Sequence, residues 1–166
     1  AQEFASGPFP YTILSANGKS VAGLMQLPQE ARDAGAPPVW MGYIGTGDVD
    51  AATAKVAAAG GTIHHQPEDI PTVGRFSVVA DPQGAVFTLF TPLPGTEEAP
   101  VPPMTDGFGA WHELMATDWS SAFDFYAAQF GWTKGEAMDM GEMGTYQLFA
   151  SGGEPLGGMK NKPPEA

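Results

Sequence analysis

Residues 74–92 read GRFSVVADPQGAVFTLFTP, two apolar segments on either side of a short polar turn. RFSVVA and AVFTLFT are rich in β-branched and aromatic residues, which is typical of strands. Residues 81–84, DPQG, place Pro and Gly where a tight hairpin connection uses them. The stretch therefore predicts a β-hairpin.

A strand, a helix and a further strand precede this hairpin in a first repeat that runs from about 39 to 91. VWMGYIGTGD predicts a strand, and TIHHQ predicts another just before the hairpin. Between them, VDAATAKVAAAGG has apolar residues at helical spacing, with Asp48 or Asp50 as the cap and Gly60-Gly61 as the end. The predicted order is βαβββ.

A second copy of the same order runs from about 108 to 160. FGAWHELMAT predicts its first strand, and SSAFDFYAAQFGW predicts a helix with an apolar stripe that ends at Gly131. KGEAMDM, TYQLFAS and PLGGMK predict the three later strands. Gly157-Gly158 lies inside the last strand, which indicates a bulge or a close backbone contact.

Part of a third copy precedes both. FPYTILSANGKSVAGLM parallels GTYQLFASGGEPLGGMK, with Tyr11 against Tyr146 and Gly23 against Gly158. Because such units work in pairs, we expect a parent protein with four of them. The predicted organisation is a partial unit at 1–30, a unit at 37–95, a Pro-rich linker at 96–106 and a unit at 107–166.

Composition excludes several classes of function. The 166 residues include 7 basic and 19 acidic ones, a net charge of −12, which argues against nucleic-acid and anionic-membrane partners. No apolar run approaches the roughly 18 residues of a membrane-spanning helix. Zero cysteines exclude disulfides, zinc-thiolate sites and cysteine nucleophiles. The opening segment has neither a charged nor a long apolar region, so we expect a cytoplasmic protein.

The combination of these phrases resembles the glyoxalase/bleomycin-resistance/dioxygenase group, also called the vicinal-oxygen-chelate superfamily. WHELMATD followed by SSAFDFYAAQFGW, WMGYIGTGD followed by AATAKVAAAGG, and the hairpin phrase carry the resemblance, which covers nearly the whole chain. It implies an α+β fold in which paired βαβββ units form a cupped, eight-stranded, barrel-like mixed sheet with helices outside. The units would pair within the chain or across a homodimer.

The resemblance also implies where a metal would bind. The family's enzymes usually hold a divalent metal with His, Gln or Glu from the first strands and a Glu late in the fourth. In this sequence the first-strand slots fall on Met41 and Trp111, and the late carboxylate slot falls on Thr88. We therefore predict no metal and no cofactor for these units, unless the missing part supplies ligands for a divalent metal.

Glu113 is the candidate catalytic residue. Strand alternation places it with Trp111 and Met115 toward the cup and turns His112 toward the helices. A carboxylate among apolar residues is desolvated, a condition for proton transfer. The alternative for Glu113 is a structural ion pair with Arg75 or Lys134.

His65 is the candidate polar residue of the other unit. If it points inward, it is placed to bind a polar ligand or to act as a general base, whereas the alternative is a solvated strand end before Pro67. Aromatic residues on the inner strand faces, among them Trp40, would line a pocket or a core. The predicted ligand-binding residues are Tyr43, His65, Phe76, Thr88, Phe90, Trp111, Met115 and Tyr146.

Two functional hypotheses follow. The first is a metal-free module that binds a compact, uncharged or cationic, aromatic or carbonyl compound in an aromatic-lined cup. The second is a metal-dependent glyoxalase-type lyase or isomerase that acts on a small carbonyl compound, with Glu113 as the base and with some metal ligands from the missing unit. In both, the partner is a small molecule and neither nucleic acid nor membrane.

Overall fold

The computed structural model describes residues 2–4, 10–96, 101–102 and 104–163. The predicted linker at 96–106 therefore lies partly outside the described residues, as do parts of the predicted units at 1–30 and 107–166. The strands are β1 (Gln2–Phe4), β2 (Tyr11–Ala16), β3 (Lys19–Met25), β4 (Tyr43–Gly45), β5 (Thr62–Ile70), β6 (Gly74–Ala80), β7 (Val86–Pro92), β8 (His112–Ala116), β9 (Thr133–Asp139), β10 (Thr145–Ala150) and β11 (Pro155–Asn161). The helices are α1 (Gln29–Asp33), α2 (Val49–Ala58) and α3 (Trp119–Phe130), and Gly141–Met143 forms a 3-10 turn.

The chain divides into two compact units, one around β1 to β3 and α1 and the other holding β4 to β11. In the first unit the three strands form an antiparallel sheet in the order β1-β2-β3. Asn17 and Gly18, with φ angles of 51° and 78°, connect β2 to β3 in the left-handed conformation that such hairpin turns require. A Cβ at Gly23 would overlap the ring of Tyr11, so glycine is needed there.

The second unit contains two four-stranded mixed sheets, in the orders β4-β7-β6-β5 and β8-β11-β10-β9. In each sheet the first strand pairs in parallel with the last, through Tyr43 opposite Thr88 and Glu113 opposite Gly158. The other pairs are antiparallel. Each sheet with its helix is thus one βαβββ unit, and the predicted α+β fold class is confirmed.

Aspartate and glycine residues set the ends of the two long helices. Asp48 Oδ1 accepts a hydrogen bond of 3.0 Å from the Ala51 N–H at the start of α2. Asp118 caps α3 in the same way, and Gly131 ends it with a φ of 71°, in the left-handed region. Of the two caps that the sequence allowed for α2, the structure selects Asp48.

The two helices cover one face of each sheet, and the covered faces share one hydrophobic core. Val49 and Val56 of α2 and Phe123 and Tyr126 of α3 belong to it. Phe87 of β7 belongs to the first βαβββ unit, yet its ring lies 5.7 Å from that of Tyr126 in the second. Both βαβββ units are therefore stabilised by burial of apolar surface in a single cluster.

Polar contacts also join the two βαβββ units. Gln83 Nε2 donates to the Asp118 carbonyl and Gln83 Oε1 accepts from the Asp118 N–H, both at 2.8 Å. The buried hydroxyl of Tyr126 donates to Asp81 Oδ2 at 3.1 Å. Lys55 Nζ donates to two carbonyl oxygens in the last turn of α3. The DPQG turn is thus a docking element as well as a strand connection.

Two strand predictions need correction. The first strand of residues 39–48 is reduced to β4, Tyr43–Gly45, and Trp40 before it is 87% exposed. Parallel pairing with β7 covers only three residues, and Pro37, Pro38 and the glycines around β4 do not favour a longer strand. Conversely, β5 continues through Pro67, because it is an edge strand with register shifts that tolerate proline.

Among the described residues, no helix combines the length and apolar character needed to cross a membrane.

Candidate functional site

Each of the two four-stranded sheets has a face that the helices do not cover. On β8, Leu114 packs against the core and Ala116 is buried in it, so alternation places Glu113 and Met115 on the uncovered side. We call this side of the β8-β11-β10-β9 sheet the Tyr146 face. The corresponding side of the β4-β7-β6-β5 sheet, which carries Phe76 and Phe90, is called the Phe76 face.

A chain of hydrogen bonds crosses the Tyr146 face. Trp111 Nε1–H donates to Tyr146 Oη at 2.7 Å. Tyr146 Oη–H donates in turn to Glu113 Oε1 at 2.8 Å. Lys160 Nζ lies 6.0 Å from the centroid of the Tyr146 ring, within reach of a cation–π interaction. Three strands thus bring a phenol, a carboxylate and an ammonium group together with the indole of Trp111, which lies just before β8.

Gly158 makes room for the Tyr146 ring. It lies opposite Glu113 on β8 and opposite Leu148 on β10, two residues beyond Tyr146. A Cβ at Gly158 would overlap the ring, and a Cβ at Gly157 would overlap the His112 carbonyl oxygen, so the predicted close backbone contact is confirmed at Gly157. Gly157 has the same role on the covered side, where a Cβ would meet the Phe149 ring.

The environment of Tyr146 favours its neutral form. Burial raises the pKa of its hydroxyl, and the hydrogen bond to Glu113 and the charge of that carboxylate raise it further, whereas the bond from Trp111 acts in the opposite direction. Near neutral pH, Tyr146 is therefore a protonated donor toward Glu113.

The structural alternative for Glu113, an ion pair with Arg75 or Lys134, is wrong. Arg75 bonds instead to Asp50 and Asp69, at 2.7 and 2.9 Å, and its hydrogen bond lowers the pKa of Asp50. Lys134 Nζ lies 4.9 Å from the centroid of the Phe123 ring on the covered side. Glu113 accepts a hydrogen bond from a phenol, which leaves its charge without a neutralising ion pair of this kind.

The Phe76 face is built mainly from rings. Tyr43 and Phe90 form an edge-to-face pair with centroids 6.1 Å apart. The His65 ring stacks on Phe76 at 5.1 Å with an interplanar angle of 12°, and His65 Nε2 lies 2.7 Å from Glu68 Oε2. The structure therefore supplies the carboxylate partner for His65 that the sequence did not reveal.

The predicted site residues fall into separate groups. Trp111, Glu113, Met115 and Tyr146 share the Tyr146 face, while Tyr43 with Phe90 and His65 with Phe76 form the pairs of the Phe76 face. Thr88 is 1% exposed, so a ligand would reach its side chain only after a rearrangement. Binding roles for all of these residues stay predictions.

Sequence reasoning missed two residues of these faces. Strand alternation, counting two positions on from Gly158, would have found Lys160. Glu68 had no such signal, because three positions from His65 is the wrong spacing for one face of a regular strand. His112 lies with the helix-covered side as expected, its Nδ1 3.1 Å from the Leu156 carbonyl oxygen.

The family's metal slots do not fit a hard divalent cation here. Met41 offers a thioether, and the Trp111 nitrogen carries a proton that it donates to Tyr146. Within the described residues, no group of three His, Asp or Glu side chains is arranged to hold a metal ion. The prediction that the protein uses no metal stays a prediction, since these observations concern only the units present.

Residues 5–89, just over half of the chain, match the family model described as the Glyoxalase/Bleomycin resistance protein/Dioxygenase superfamily. The chain belongs to this superfamily, which confirms the resemblance noted in the sequence.

Two curated relatives have related names. CFP32 of Mycobacterium tuberculosis, named as a glyoxylase, is 44% identical over 94 residues, which cover 57% of this chain and 34% of the relative. The anthracycline biosynthesis protein DauV of Streptomyces sp. (strain C5) is 34% identical over 133 residues, covering 73% and 47%. The chain thus spans between about a third and a half of the length of these relatives.

Among solved structures, the halotolerant catechol dioxygenase BphC is similar, with a TM-score of 0.50 and 21% sequence identity. The match covers 72% of this chain and 45% of that chain. At this identity the likeness concerns the fold alone.

Proposed function

We propose that the chain is a glyoxalase-like small-molecule-binding module whose ligand lies on the Tyr146 face and is held without a metal. The observation that carries the proposal is a hydrogen-bonded carboxylate, Glu113, surrounded by exposed aromatic and apolar side chains. Trp111, Met115 and Met138 are 43%, 50% and 46% exposed. Apolar walls with a few convergent polar groups are characteristic of small-molecule sites.

The hydrogen-bond pattern restricts the ligand. Trp111 N–H and Tyr146 O–H already donate hydrogen bonds to groups of the Tyr146 face. These aromatic side chains therefore offer a ligand their ring surfaces and acceptor atoms rather than donors. Glu113 Oε2 and the remaining lone pair of Tyr146 favour a ligand with N–H or cationic groups. Lys160 supplies the single ammonium donor of this cluster, which suits a carbonyl oxygen. A compact aromatic compound that is cationic therefore suits Glu113, and one that carries a carbonyl group suits Lys160.

A second candidate function is a metal-dependent glyoxalase-type lyase or isomerase acting on a small carbonyl compound. The name of CFP32, which is 44% identical over 94 residues, favours it. In that case Glu113 would be the base, and the metal ligands would come from a part of the protein outside this chain, because the slots within it do not fit.

The test is a fluorescence titration of the 166-residue chain with benzyltrimethylammonium and with benzaldehyde, before and after treatment with EDTA. We expect at least one probe to bind, equally with and without EDTA, and Glu113→Gln to weaken binding about fivefold or more. Asp124→Asn, a matched change on the exposed side of α3, is the control and leaves binding unchanged.

Two results would overturn this function. One is the failure of both probes to bind. The other is near-stoichiometric nickel, zinc, iron or manganese in protein purified without a chelator, which would support the metal-dependent alternative.

A further inference from the structure

The edge strand β5 is distorted in a way that builds a second polar site. In a regular strand, residues three apart point to opposite faces. In β5, however, His65 lies opposite Val78 and Glu68 lies opposite Phe76, so three steps on β5 match two steps on β6. This irregularity at Gln66 and Pro67 brings His65 and Glu68 to the same face, where their side chains meet at 2.7 Å. Such bulges often re-aim side chains near functional sites.

Arg75 holds the irregular segment from the other side. Its Nη2 donates to the Pro67 carbonyl oxygen at 3.3 Å, and its Nη1 and Nε donate to Asp69 and Asp50. Pro67 itself has no N–H to leave unpaired in the bulge. The distorted segment is therefore tied to both β6 and α2, and the position of Glu68 does not depend on its contact with His65 alone.

The contact with Glu68 gives the two nitrogens of His65 different roles. A carboxylate close to Nε2 favours the tautomer that carries its proton there, which leaves Nδ1 as an acceptor. Phe76 covers one side of the ring by stacking, so a planar ligand on the Phe76 face would approach the ring edge and its open side. The side chain of His65 is half-exposed and accessible to such a ligand.

We propose that His65 Nδ1 accepts the proton of an O–H group on a planar ligand, and that Glu68 is the positioning residue that holds the required tautomer. In this step the ligand O–H bond breaks, an Nδ1–H bond forms, and the resulting imidazolium is paired with the Glu68 carboxylate. The inference rests on the proposed function only in requiring that the chain binds a planar small molecule. The site proposed here lies on the Phe76 face, whereas the proposed function places its ligand on the Tyr146 face.

The first test measures the tautomer of His65 without any ligand. The chain has three histidines, so long-range proton–nitrogen NMR spectra resolve each imidazole. We expect His65 as the Nε2–H tautomer in the wild type and as a mixture in Glu68→Ala. Asp124→Ala is the control variant, and His112, on the covered side, is the internal reference. A mixture in the wild type would overturn the inference.

The second test uses 4-nitrophenol, whose colour reports its ionisation, and 4-nitroanisole, which lacks the O–H. We expect the wild type to raise the ionised fraction of bound 4-nitrophenol and His65→Gln to abolish this rise and weaken binding about fivefold. Binding of 4-nitroanisole is expected to be the same in both. Unchanged ionisation, or no binding of 4-nitrophenol, overturns the inference, while the benzaldehyde and benzyltrimethylammonium titrations test the proposed function separately.

Discussion

The two uncovered faces have the same backbone plan and different chemistry. Five residues before the aspartate that caps the helix, one sheet has Glu113 and the other has Tyr43. The strand registers likewise equate Tyr146 with Phe76 and Gly158 with Thr88. One face therefore carries a hydrogen-bonded carboxylate at a position where the other carries an aromatic ring.

The residue at the glycine position accounts for much of this difference. Without a side chain at 158, the Tyr146 ring lies against β11 and its hydroxyl reaches both Trp111 and Glu113. Thr88 fills the equivalent place on β7, and Phe76 stacks on His65 of the edge strand instead. One backbone plan thus supports two chemically different faces because a single small-for-large exchange redirects the neighbouring ring.

The largest predicted effect tests whether both faces depend on one core. Phe87 and Phe90 lie on opposite sides of β7, and Phe87 belongs to the shared core. Phe87→Ala should lower the free energy of unfolding by about 3–5 kcal/mol, because it leaves a cavity between the two βαβββ units. Phe90→Ala, the matched change on the Phe76 face, should cost only about 1–2 kcal/mol. Urea denaturation measures both, and equal losses would contradict a single core.

The next prediction converts one face toward the other. Gly158→Thr should displace the Tyr146 ring, break its bonds to Trp111 and Glu113, and destabilise the fold by about 1–3 kcal/mol. Gly153→Thr is the control, because that position has open space around it. Denaturation and tryptophan fluorescence report the two effects. A Gly158→Thr protein with unchanged probe affinity would show that the glycine is not needed for the Tyr146 face.

The smallest effect concerns ionisation at high pH. Burial first, and the nearby carboxylate second, raise the pKa of two of the four tyrosines, Tyr126 beside Asp81 and Tyr146 beside Glu113. Because the raised pKa favours the neutral phenol in the fold, the associated stability is complete below about pH 10, where unfolded tyrosine ionises. It is lost as the pH rises through the folded pKa values.

Glu113→Gln sharpens this comparison between the tyrosines. Removal of the charge should lower the pKa of Tyr146 while burial still holds it above the ordinary value, and the pKa of Tyr126 should not change. Phenolate absorbance during an alkaline titration measures both, with Tyr146→Phe to assign the signal. An unchanged titration curve would mean that Glu113 does not act on Tyr146.

Within the two βαβββ units, the sequence was sufficient for the order of elements because local signals specify it, whereas β1 and α1 were not predicted. Asp118 and Gly131 bound α3, and the parallel between Tyr11 with Gly23 and Tyr146 with Gly158 is confirmed by the overlap that a Cβ would cause at either glycine. Alternation along β8 also predicted correctly that Glu113 and His112 lie on opposite sides.

What the sequence could not show depends on contacts between strands. The bond between Trp111 and Tyr146 joins residues 35 positions apart and requires the register of two strand pairs. The pair of His65 and Glu68 requires a bulge, which alternation rules cannot anticipate. The burial of Thr88 depends on what surrounds it, and no property of the residue itself predicts that.

The reciprocal bonds between Gln83 and Asp118 have a consequence for hydrogen exchange. The Asp118 amide is at a helix cap, where no helical hydrogen bond protects it, yet its N–H is bonded to a side chain of the other βαβββ unit. Its exchange with deuterium therefore requires the Gln83 side chain to release it. The protection of this one amide reports how often the contact between the DPQG turn and α3 opens.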